Sequence, residues 1–341
     1  MNPLFILPIS TCLTLILTGV LRHYALKRSL MDIPNERSSH SLPTPRGGGV
    51  SVVVVFLFLL VLLGLEDMVM LPELLALLGG GTLVALIGIL DDLGHVSARW
   101  RLLSHFLGAG WALYWLGGLP PLQMFGATLE LGWLGYFIAT FYLVWLLNLY
   151  NFMDGIDGIA SIEAITVSAG AAFAISLHNV PQIQWIIPLL LAAIVVGFLF
   201  WNFPVAKIFM GDGCSGFLGL MLGLLSFQAA WILPQMFWVW IILLGVFIVD
   251  ATLTLIGRIL NRERIYEAHR SHAYQIAARR FNSHKVVSLT VGLINLIWLI
   301  PIACMVSMEW IDGLSGVVLA YIPLVALVWF FKGGVQSREQ I

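Results

Sequence analysis

Eleven apolar runs, each long enough to cross the hydrocarbon core of a bilayer, occupy most of this 341-residue sequence. A helix needs about 20 apolar residues to span a core about 30 Å thick. Only 10% of the residues are charged and 60% are hydrophobic, whereas soluble domains carry about 25% charged residues. The sequence therefore predicts an all-α, polytopic membrane protein forming a single domain, 1–341, with about eleven transmembrane helices. The runs lie at 3–21, 48–65, 74–90, 103–118, 133–150, 158–177, 184–201, 214–232, 235–257, 286–307 and 313–331.

The basic residues predict how these helices are oriented. If the spans alternate, one side of the membrane holds a set of loops that contains all 17 Lys and Arg residues. Short loops rich in Lys and Arg remain in the cytoplasm. We therefore expect a periplasmic N-terminus and a cytoplasmic C-terminus. The loops on this basic side are 22–47, 91–102, 151–157, 202–213 and 258–285, together with the C-terminal tail.

An acidic run at 151–158, Asn-Phe-Met-Asp-Gly-Ile-Asp-Gly, separates the fifth and sixth apolar runs. Asp154 and Asp157 are three residues apart, a spacing that places two side chains on one face of a helix. The glycines allow a ligand to approach the backbone closely. Paired acids at the end of a membrane helix indicate a site for a metal ion or an oxyanion.

Three further acids lie at the ends of apolar runs on the same predicted side. Asp91 and Asp92 end the third run. Adjacent carboxylates at a helix C-terminus oppose the helix dipole and repel each other, so we expect a metal ion or a basic partner such as Arg99 or Arg101. Asp212 precedes the eighth run, and two interpretations stay open. It is either a helix N-cap or a metal ligand beside a helix N-terminus that favours phosphate.

Basic and glycine-rich segments share the predicted cytoplasmic face with these acids. Arg46 precedes three glycines in the first loop, Lys207 precedes the eighth run, and the longest loop holds His269-Arg270-Ser-His272. Histidines at i and i+3 share a helix face, but no cysteine or third histidine nearby completes a structural zinc site. The histidine pattern therefore suits an anionic ligand. The first loop has a second interpretation, as a solvated connector that only carries positive charge.

Asp250 lies within the ninth apolar run, about 12 Å from Arg258 along a helix that rises 1.5 Å per residue. An ionisable residue inside the membrane marks a functional site by default. The alternative is a carboxylate satisfied by Thr252 or by a neighbouring helix. The sequence leaves both interpretations open.

The acids and their surroundings together predict a class of ligand. Oxygen ligands without soft ones select Mg²⁺ or Mn²⁺, and the basic, glycine-rich surroundings imply a phosphate-bearing ligand. An enzyme that joins a soluble phosphorylated donor to a lipid phosphate needs this combination at a membrane face. A net charge of −1 argues against nucleic acid as a partner, and the lipid bilayer is the partner that the composition implies.

At these residues the sequence resembles the polyprenyl-phosphate N-acetylhexosamine-1-phosphate transferases, the MraY/WecA-like family. The resemblance covers nearly the whole chain. The first-loop segments Arg-Ser-Ser-His and Thr-Pro-Arg-Gly-Gly-Gly look most like the WbpL-type branch, which starts O-antigen synthesis. The matching motif residues are Asp91-Asp92, the run from Asn151 to Gly158, Asn202, Phe209, Asp212, His269 and His272.

This resemblance implies transfer of a sugar 1-phosphate from a UDP-N-acetylhexosamine to undecaprenyl phosphate, with release of UMP, at the cytoplasmic face of the bacterial inner membrane. It also implies that Asp212 holds Mg²⁺ on the diphosphate, and that Asn202, Phe209 and the 155–157 backbone bind uridine. We expect Asp91, Asp92, Asp154, Asp157, His269 and His272 to be catalytic, Asp212 and Asp92 to bind Mg²⁺, and Arg46, Asn151, Gly155, Ile156, Asn202, Lys207, Phe209 and Arg270 to bind substrate.

The expected chemistry is attack of one phosphate on another. Charge repulsion dominates that barrier, so a metal ion acting as Lewis acid and Arg or His donors are expected. Asp91 or Asp92 is the candidate base, and we favour direct attack over a covalent phospho-aspartate. The sequence does not specify whether the sugar is GlcNAc, FucNAc or QuiNAc. It is compatible with a homodimer but does not specify the oligomeric state.

Two other functions fit a polytopic membrane protein. A secondary transporter of a phosphorylated solute places charged residues near the bilayer midplane on broken helices, whereas here they crowd the predicted cytoplasmic ends. An assembly scaffold leaves the carboxylates unexplained. The sequence therefore favours the enzyme.

Overall fold

Helices make up nearly all the regular structure in the computed structural model, which describes residues 3–34, 42–94, 96–263, 270–331 and 333. This confirms the all-α class. The helices are α1 (Ile6–Lys27), α2 (Val50–Leu65), α3 (Leu71–Leu93), α4 (Ala98–Leu116), α5 (Gly132–Met153), α6 (Ile159–Ser176), α7 (Ile183–Asn202), α8 (Asp212–Ile232), α9 (Met236–Leu243), α10 (Gly245–Leu260), α11 (Ala273–Phe281), α12 (His284–Ile294), α13 (Ile300–Ser307) and α14 (Gly313–Phe330). A π-helical stretch, Asn295–Leu299, joins α12 to α13. Two short antiparallel pairings complete the fold, β1 (Met31–Asp32) with β2 (Thr44–Pro45), and β3 (Leu122–Met124) with β4 (Ala127–Leu129).

Among the described residues, eight helices are long and apolar enough to cross a membrane, and the number is nine if α9 and α10 form one bent span. The eight are α1, α3, α5, α6, α7, α8, the continuous helix from α12 to α13, and α14. α2 is apolar but only 16 residues long, and α4 carries Arg99 and Arg101 in its first turn. The polytopic architecture is thus confirmed. The count of eleven and the orientation of the termini stay predictions.

The ninth predicted span, 235–257, is not one straight helix. α9 ends at Leu243 and α10 begins at Gly245, with an angle of 68° between them. The Tyr321 hydroxyl donates to the carbonyl of Ile241 beside this break, at 2.7 Å. α14 also packs closely there, because a Cβ at Gly245 would lie 3.0 Å from the Tyr321 ring. An apolar run does not reveal such a bend, since both arms of the broken helix are equally apolar.

α8 lies at the centre of the bundle, and every residue from Gly213 to Ala230 is buried. Glycines let its backbone touch two neighbours, as small residues do between membrane helices. A Cβ at Gly219 would lie 2.7 Å from the Cα of Leu147 in α5, and a Cβ at Gly88 in α3 would lie 2.6 Å from the Cα of Gly213. The close approach at Gly88 places the end of α3 beside the start of α8.

Asp250 is a satisfied carboxylate, the second of its two interpretations. It lies on α10 and accepts hydrogen bonds from the backbone N–H groups of Ala273 and Tyr274, each at 2.9 Å. The hydroxyl of Thr254, rather than that of Thr252, donates to it at 3.1 Å. The carboxylate therefore fixes the first turn of α11 to α10.

We expect Gly88→Ala to destabilise the protein by about 1–3 kcal/mol, because the added methyl group overpacks the contact between α3 and α8. The measurement is the apparent melting temperature of the purified protein in detergent. Gly110→Ala in α4 is the matched control, because a Cβ there meets no atom within 4 Å. It should leave the melting temperature unchanged or raise it slightly through better helix propensity. Equal melting temperatures in the two variants would contradict the close approach.

Candidate active site

The Asp92 carboxylate, from the last turn of α3, caps the N-terminus of α8. Its Oδ1 accepts the N–H of Asp212 at 3.0 Å, and its Oδ2 accepts the N–H of Gly213 at 3.2 Å. A helix N-terminus offers unpaired N–H groups and a favourable dipole to an anion. The N-cap interpretation of Asp212 is therefore wrong. Asp212 is the first residue of α8, Gly211 is its N-cap, and the capping carboxylate comes from another helix.

Arg46 bridges these two acids. Its Nε lies 2.8 Å from Asp92 Oδ1, and its Nη2 lies 2.7 Å from Asp212 Oδ1. Burial alone would lower the pKa of Arg46, but the charges of Asp212 and Asp92 outweigh burial, and the pKa lies above its ordinary value. The guanidinium is therefore held in its charged form between the acids.

Asp91 has a basic partner of its own. Arg101 Nη1 forms an ion pair with Asp91 Oδ2, and the same nitrogen lies 3.5 Å from Asp212 Oδ2. Asp91 Oδ1 accepts the N–H of Val96 at 2.9 Å. The expectation of a basic partner beside the two adjacent acids is confirmed, with Arg101 as the partner of Asp91 and Arg46 as that of Asp92.

Asp154 and Asp157 lie in a turn, not on one helix face as their spacing predicted. α5 ends at Met153, and Gly158, at φ +73°, precedes α6. Burial raises the pKa of Asp154 to about 7, and the charge of Asp212 adds to that shift. Asp154 therefore lies within electrostatic reach of the acids at the start of α8.

Asp157 is held by different elements. Its Oδ2 accepts the N–H of Ala206 at 3.0 Å. Its Oδ1 lies 3.3 Å from His284 Nδ1, and its backbone carbonyl accepts the Ser288 hydroxyl at 2.7 Å. The two acids of the 151–158 run consequently have different surroundings.

Both asparagines predicted to bind substrate make hydrogen bonds within the protein. Asn202 Oδ1 accepts the N–H of Gly158 at 3.1 Å, and its Nδ2 donates to the carbonyl of Ile208 at 3.1 Å. Asn202 is buried, so it ties the start of α6 to the segment before α8. Asn151 Nδ2 donates to Ser215 Oγ at 3.1 Å, which links the end of α5 to α8.

The predicted backbone contacts at Gly155 and Ile156 lie beneath α11. A Cβ at Gly155 would lie 2.2 Å from the Tyr274 hydroxyl oxygen, and that hydroxyl donates to the carbonyl of Phe152 at 3.0 Å. The Ile156 side chain belongs to the hydrophobic core. Glycine at 155 is thus required by the tyrosine that packs on it.

A cavity of about 660 Å³ opens next to Asp157. We call it the basic cavity, because Arg270, Arg279, His284 and Lys285 line it together with Asp157 and Phe209. Burial, followed by the charge of Arg270, lowers the pKa of Arg279. An anion bound between these like charges would relieve their repulsion.

Phe209 and Lys207 are placed differently from each other. The N–H of Phe209 donates to the carbonyl of Pro45 at 2.8 Å, and its carbonyl accepts the N–H of Gly48 at 2.9 Å. These bonds fix Phe209 against the segment that carries Arg46. Lys207 is not among the residues lining the basic cavity, and its ammonium group lies 5.7 Å from the centre of the Trp201 ring.

The histidine segment is only partly described. His269 lies outside the described residues. His272 precedes α11 as its N-cap, and the predicted helix face shared with His269 falls outside the described residues. His272 is buried, and its Nδ1 lies 3.4 Å from Asp250 Oδ1. This contact gives it a structural partner, and its catalytic role stays a prediction.

Two ionisable residues that make specific contacts in the structure were absent from the sequence-based expectations. His284 lies just before the apolar run 286–307, and no motif around it identifies it as a site residue. Glu163, by contrast, is an acid inside the predicted span 158–177, a signal that could have been used. Its buried carboxylate accepts a hydrogen bond from Asn295 Nδ2 at 2.7 Å.

The carboxylates at the start of α8 supply only part of what a metal ion requires. Within the part of the chain that the structure describes, no three His, Cys, Asp or Glu side chains are arranged to hold a metal ion. Asp92 and Asp212 do lie against each other through Arg46. Mg²⁺ is usually bound by one or two carboxylates plus substrate phosphates and water. The residues present fit such a shared site and do not fit an all-protein metal cage.

Known proteins resemble this chain over most of its length. A probable undecaprenyl-phosphate N-acetylglucosaminyl 1-phosphate transferase of Bacillus subtilis (strain 168) is 32% identical over 298 residues, which cover 85% of this chain and 81% of the relative. An undecaprenyl-phosphate alpha-N-acetylglucosaminyl 1-phosphate transferase of Thermotoga maritima is 26% identical over 282 residues, 81% of this chain and 82% of the relative. A phospho-N-acetylmuramoyl-pentapeptide-transferase of Streptococcus gordonii is 37% identical over only 157 residues, 42% of this chain and 47% of the relative.

The family model for glycosyl transferase family 4 matches residues 74–230. That segment includes Asp92 and Asp212, which lie together at the start of α8, and Asp154, which lies within electrostatic reach of them. The family match and the relatives that align over more than four-fifths of this chain therefore agree with the geometry. This chain is a membrane transferase that belongs to glycosyl transferase family 4, among the polyprenyl-phosphate N-acetylhexosamine-1-phosphate transferases that its motifs resemble.

Proposed function

We propose that the protein transfers an N-acetylhexosamine 1-phosphate from a UDP-sugar to undecaprenyl phosphate and releases UMP. The observation that carries this proposal is the convergence of Asp92, Asp154 and Asp212 with Arg46 and Arg101 at one end of the bundle. Two relatives that match over more than four-fifths of this chain have names that agree with this acceptor and with an N-acetylglucosamine donor.

The reaction exchanges one phosphoanhydride bond for another. An oxygen of the lipid phosphate attacks the phosphorus that bears the sugar, and a P–O bond forms. The P–O bond to the uridylyl phosphate breaks, and UMP leaves with the electron pair. We assign to Arg46 and Arg101, which pair with these acids, the role of offsetting the charge of the two anionic reactants. Mg²⁺, with Mn²⁺ as the alternative, would be held by Asp212 and Asp92 and would supply a Lewis acid for the diphosphate.

The candidate bases differ in how many hydrogen bonds and ion pairs their carboxylate oxygens already make. Asp92 caps α8 with both oxygens, and Asp91 is engaged by Val96 and Arg101. Asp154 has a pKa of about 7, raised first by burial, and a base works best when its pKa lies near the working pH. We therefore add Asp154 to Asp91 and Asp92 as a candidate for keeping the lipid phosphate deprotonated.

The basic cavity is the proposed place of the nucleotide-sugar, with Phe209, Asp157 and Arg270 in its wall. GlcNAc is the favoured sugar and FucNAc and QuiNAc are the alternatives. The proposed role is the first membrane step of O-antigen or a related surface polysaccharide. The distribution of Lys and Arg supports an inner-membrane enzyme whose site faces the cytoplasm, and a homodimer is compatible with this arrangement.

Purified protein in detergent should release UMP only when a UDP-N-acetylhexosamine, undecaprenyl phosphate and Mg²⁺ are all present, and EDTA should abolish the release. Asp212→Asn should lower the rate by about 100-fold or more, because one preorganised charge at the reacting phosphates is lost. Its elution profile should match that of the wild-type protein. UDP-GlcNAc, UDP-FucNAc and UDP-QuiNAc assayed in parallel would identify the donor.

Asp67→Asn is the matched control for this assay. Asp67 is exposed at the opposite end of the bundle, between α2 and α3, and its variant should keep the wild-type rate. Full activity of Asp212→Asn would remove Asp212 from the site. Uptake of a phosphorylated solute into sealed vesicles without UMP release would instead support the transporter.

The pKa of Asp154 predicts how stability depends on pH when divalent ions are removed. The folded state keeps its proton up to a pH of about 7, whereas the unfolded chain loses it at the ordinary, lower pKa. The folded state therefore binds more protons across that interval, and stability falls as pH rises through it. In EDTA, the melting temperature of the wild-type protein should fall more between pH 5 and pH 8 than that of Asp154→Asn. The Asp67→Asn protein should behave like wild type, and identical pH dependence in all three proteins would contradict the prediction.

A further inference from the structure

The first two turns of α12 contact Asp157 at two points. His284 Nδ1 lies 3.3 Å from Asp157 Oδ1, and the Ser288 hydroxyl donates to the backbone carbonyl of Asp157 at 2.7 Å. His284 and Ser288 are four residues apart, so they lie on the same face of the helix. One helix face therefore contacts both the side chain and the main chain of the same acid.

The remaining oxygen of Asp157 is also engaged. Its Oδ2 accepts the N–H of Ala206, at 3.0 Å, from the segment before α8. The first turn of α12 is itself well formed, because Ser283 Oγ accepts the N–H of Val286 at 3.3 Å as its N-cap. A carboxylate beside this helix start is additionally favoured by the dipole of α12. The orientation of the carboxylate is thus set by two elements that close around it.

His284 is not a core residue. Its side chain is 23% exposed and that of Asp157 is 12% exposed, and both line the basic cavity. Shortening a partly exposed side chain removes little buried apolar surface, so it should cost little stability. Truncation of His284 should therefore affect ligand binding in the basic cavity, which His284 and Asp157 both line.

We propose that His284 is a positioning residue for the nucleotide-sugar donor. It holds the Asp157 carboxylate at the wall of the basic cavity, in the orientation in which this carboxylate contacts the bound donor. Ser288 supports the same acid through its main chain. This inference rests on the proposed function for the identity of the donor. His284 acts through Asp157, while the reacting phosphates are assigned to Asp92 and Asp212.

His284→Ala should raise KM for the UDP-sugar by about tenfold or more, the effect of losing an interaction with a charged group. Because the reacting groups are untouched, kcat and KM for undecaprenyl phosphate should change by less than about twofold. His284→Asn should restore most of the donor affinity, since its amide nitrogen takes the place of Nδ1. His284→Gln, whose amide nitrogen takes the place of Nε2, should behave like His284→Ala.

His23→Ala is the matched control, because His23 is an exposed histidine on α1 and its loss should leave all three constants unchanged. Ser288→Ala provides a second test that does not depend on the fold of the His284 variants. It should raise KM for the donor by about threefold, the effect of losing one neutral hydrogen bond.

Binding of UMP, measured by calorimetry without turnover, separates the two proposals. The dissociation constant should rise in His284→Ala by about the same factor as KM. If the wild-type protein binds UMP but no UDP-sugar yields UMP, the proposed function fails while the binding comparison still tests His284. If the wild-type protein turns over and His284→Ala keeps both its KM and its affinity for UMP, the inference about His284 is overturned. A fall in kcat with KM unchanged would overturn it as well.

Discussion

The hydrogen bonds from the start of α8 to the Asp92 carboxylate are the interaction on which the rest of the site depends. They are possible because Gly88 and Gly213 bring the backbones of α3 and α8 into contact. Gly211 is equally necessary, because it adopts φ +85° and a Cβ there would lie 2.5 Å from Asp92 Oδ2. An acid that opposes the dipole of its own helix is thus stabilised by the dipole of another.

Charge balance follows from that contact. Asp91, Asp92 and Asp212 share two guanidinium groups, those of Arg46 and Arg101. Asp154 adds a fourth carboxyl without a cation of its own among these ion pairs, and burial together with the neighbouring acids raises its pKa to about 7. The cluster therefore carries more acid than its cations neutralise. The three acids outnumber the two guanidinium groups even when Asp154 is protonated, and the divalent cation proposed above would offset that negative charge.

Acids also hold the part of the site that is formed by the starts of α11 and α12. Asp250 accepts hydrogen bonds from the backbone at the start of α11. Asp157 contacts His284 and Ser288 in the first two turns of α12. Between them, the Tyr274 hydroxyl reaches the carbonyl of Phe152 and packs on Gly155. The 151–158 run therefore lies beneath α11 and α12, and the basic cavity lies where these helices meet the segment before α8.

The sequence determined where the helices are and which residue types stand at their ends. The third and eighth apolar runs, 74–90 and 214–232, became α3 and α8 with shifts of only a few residues. Those runs are identifiable because backbone groups in a bilayer must be hydrogen-bonded within the segment, so a long apolar run forms a helix. The acids beside them were identifiable because ionisable residues are rare and costly there.

Only the tertiary structure decided which of these residues meet. Arg46 and Asp212 are separated by 166 residues, Asp212 and Asp92 by 120, and Asp157 and Ser288 by 131. It also placed Asp154 and Asp157 in a turn, broke the ninth span at Leu244, and brought His284 to the cavity wall. Hydropathy and residue spacing describe neighbours along one helix, whereas these contacts depend on how closely different helices pack. Glycines such as Gly88 set the distance between two packed helices, here α3 and α8. The missing side chain of Gly88 has an effect only because a second backbone lies against it.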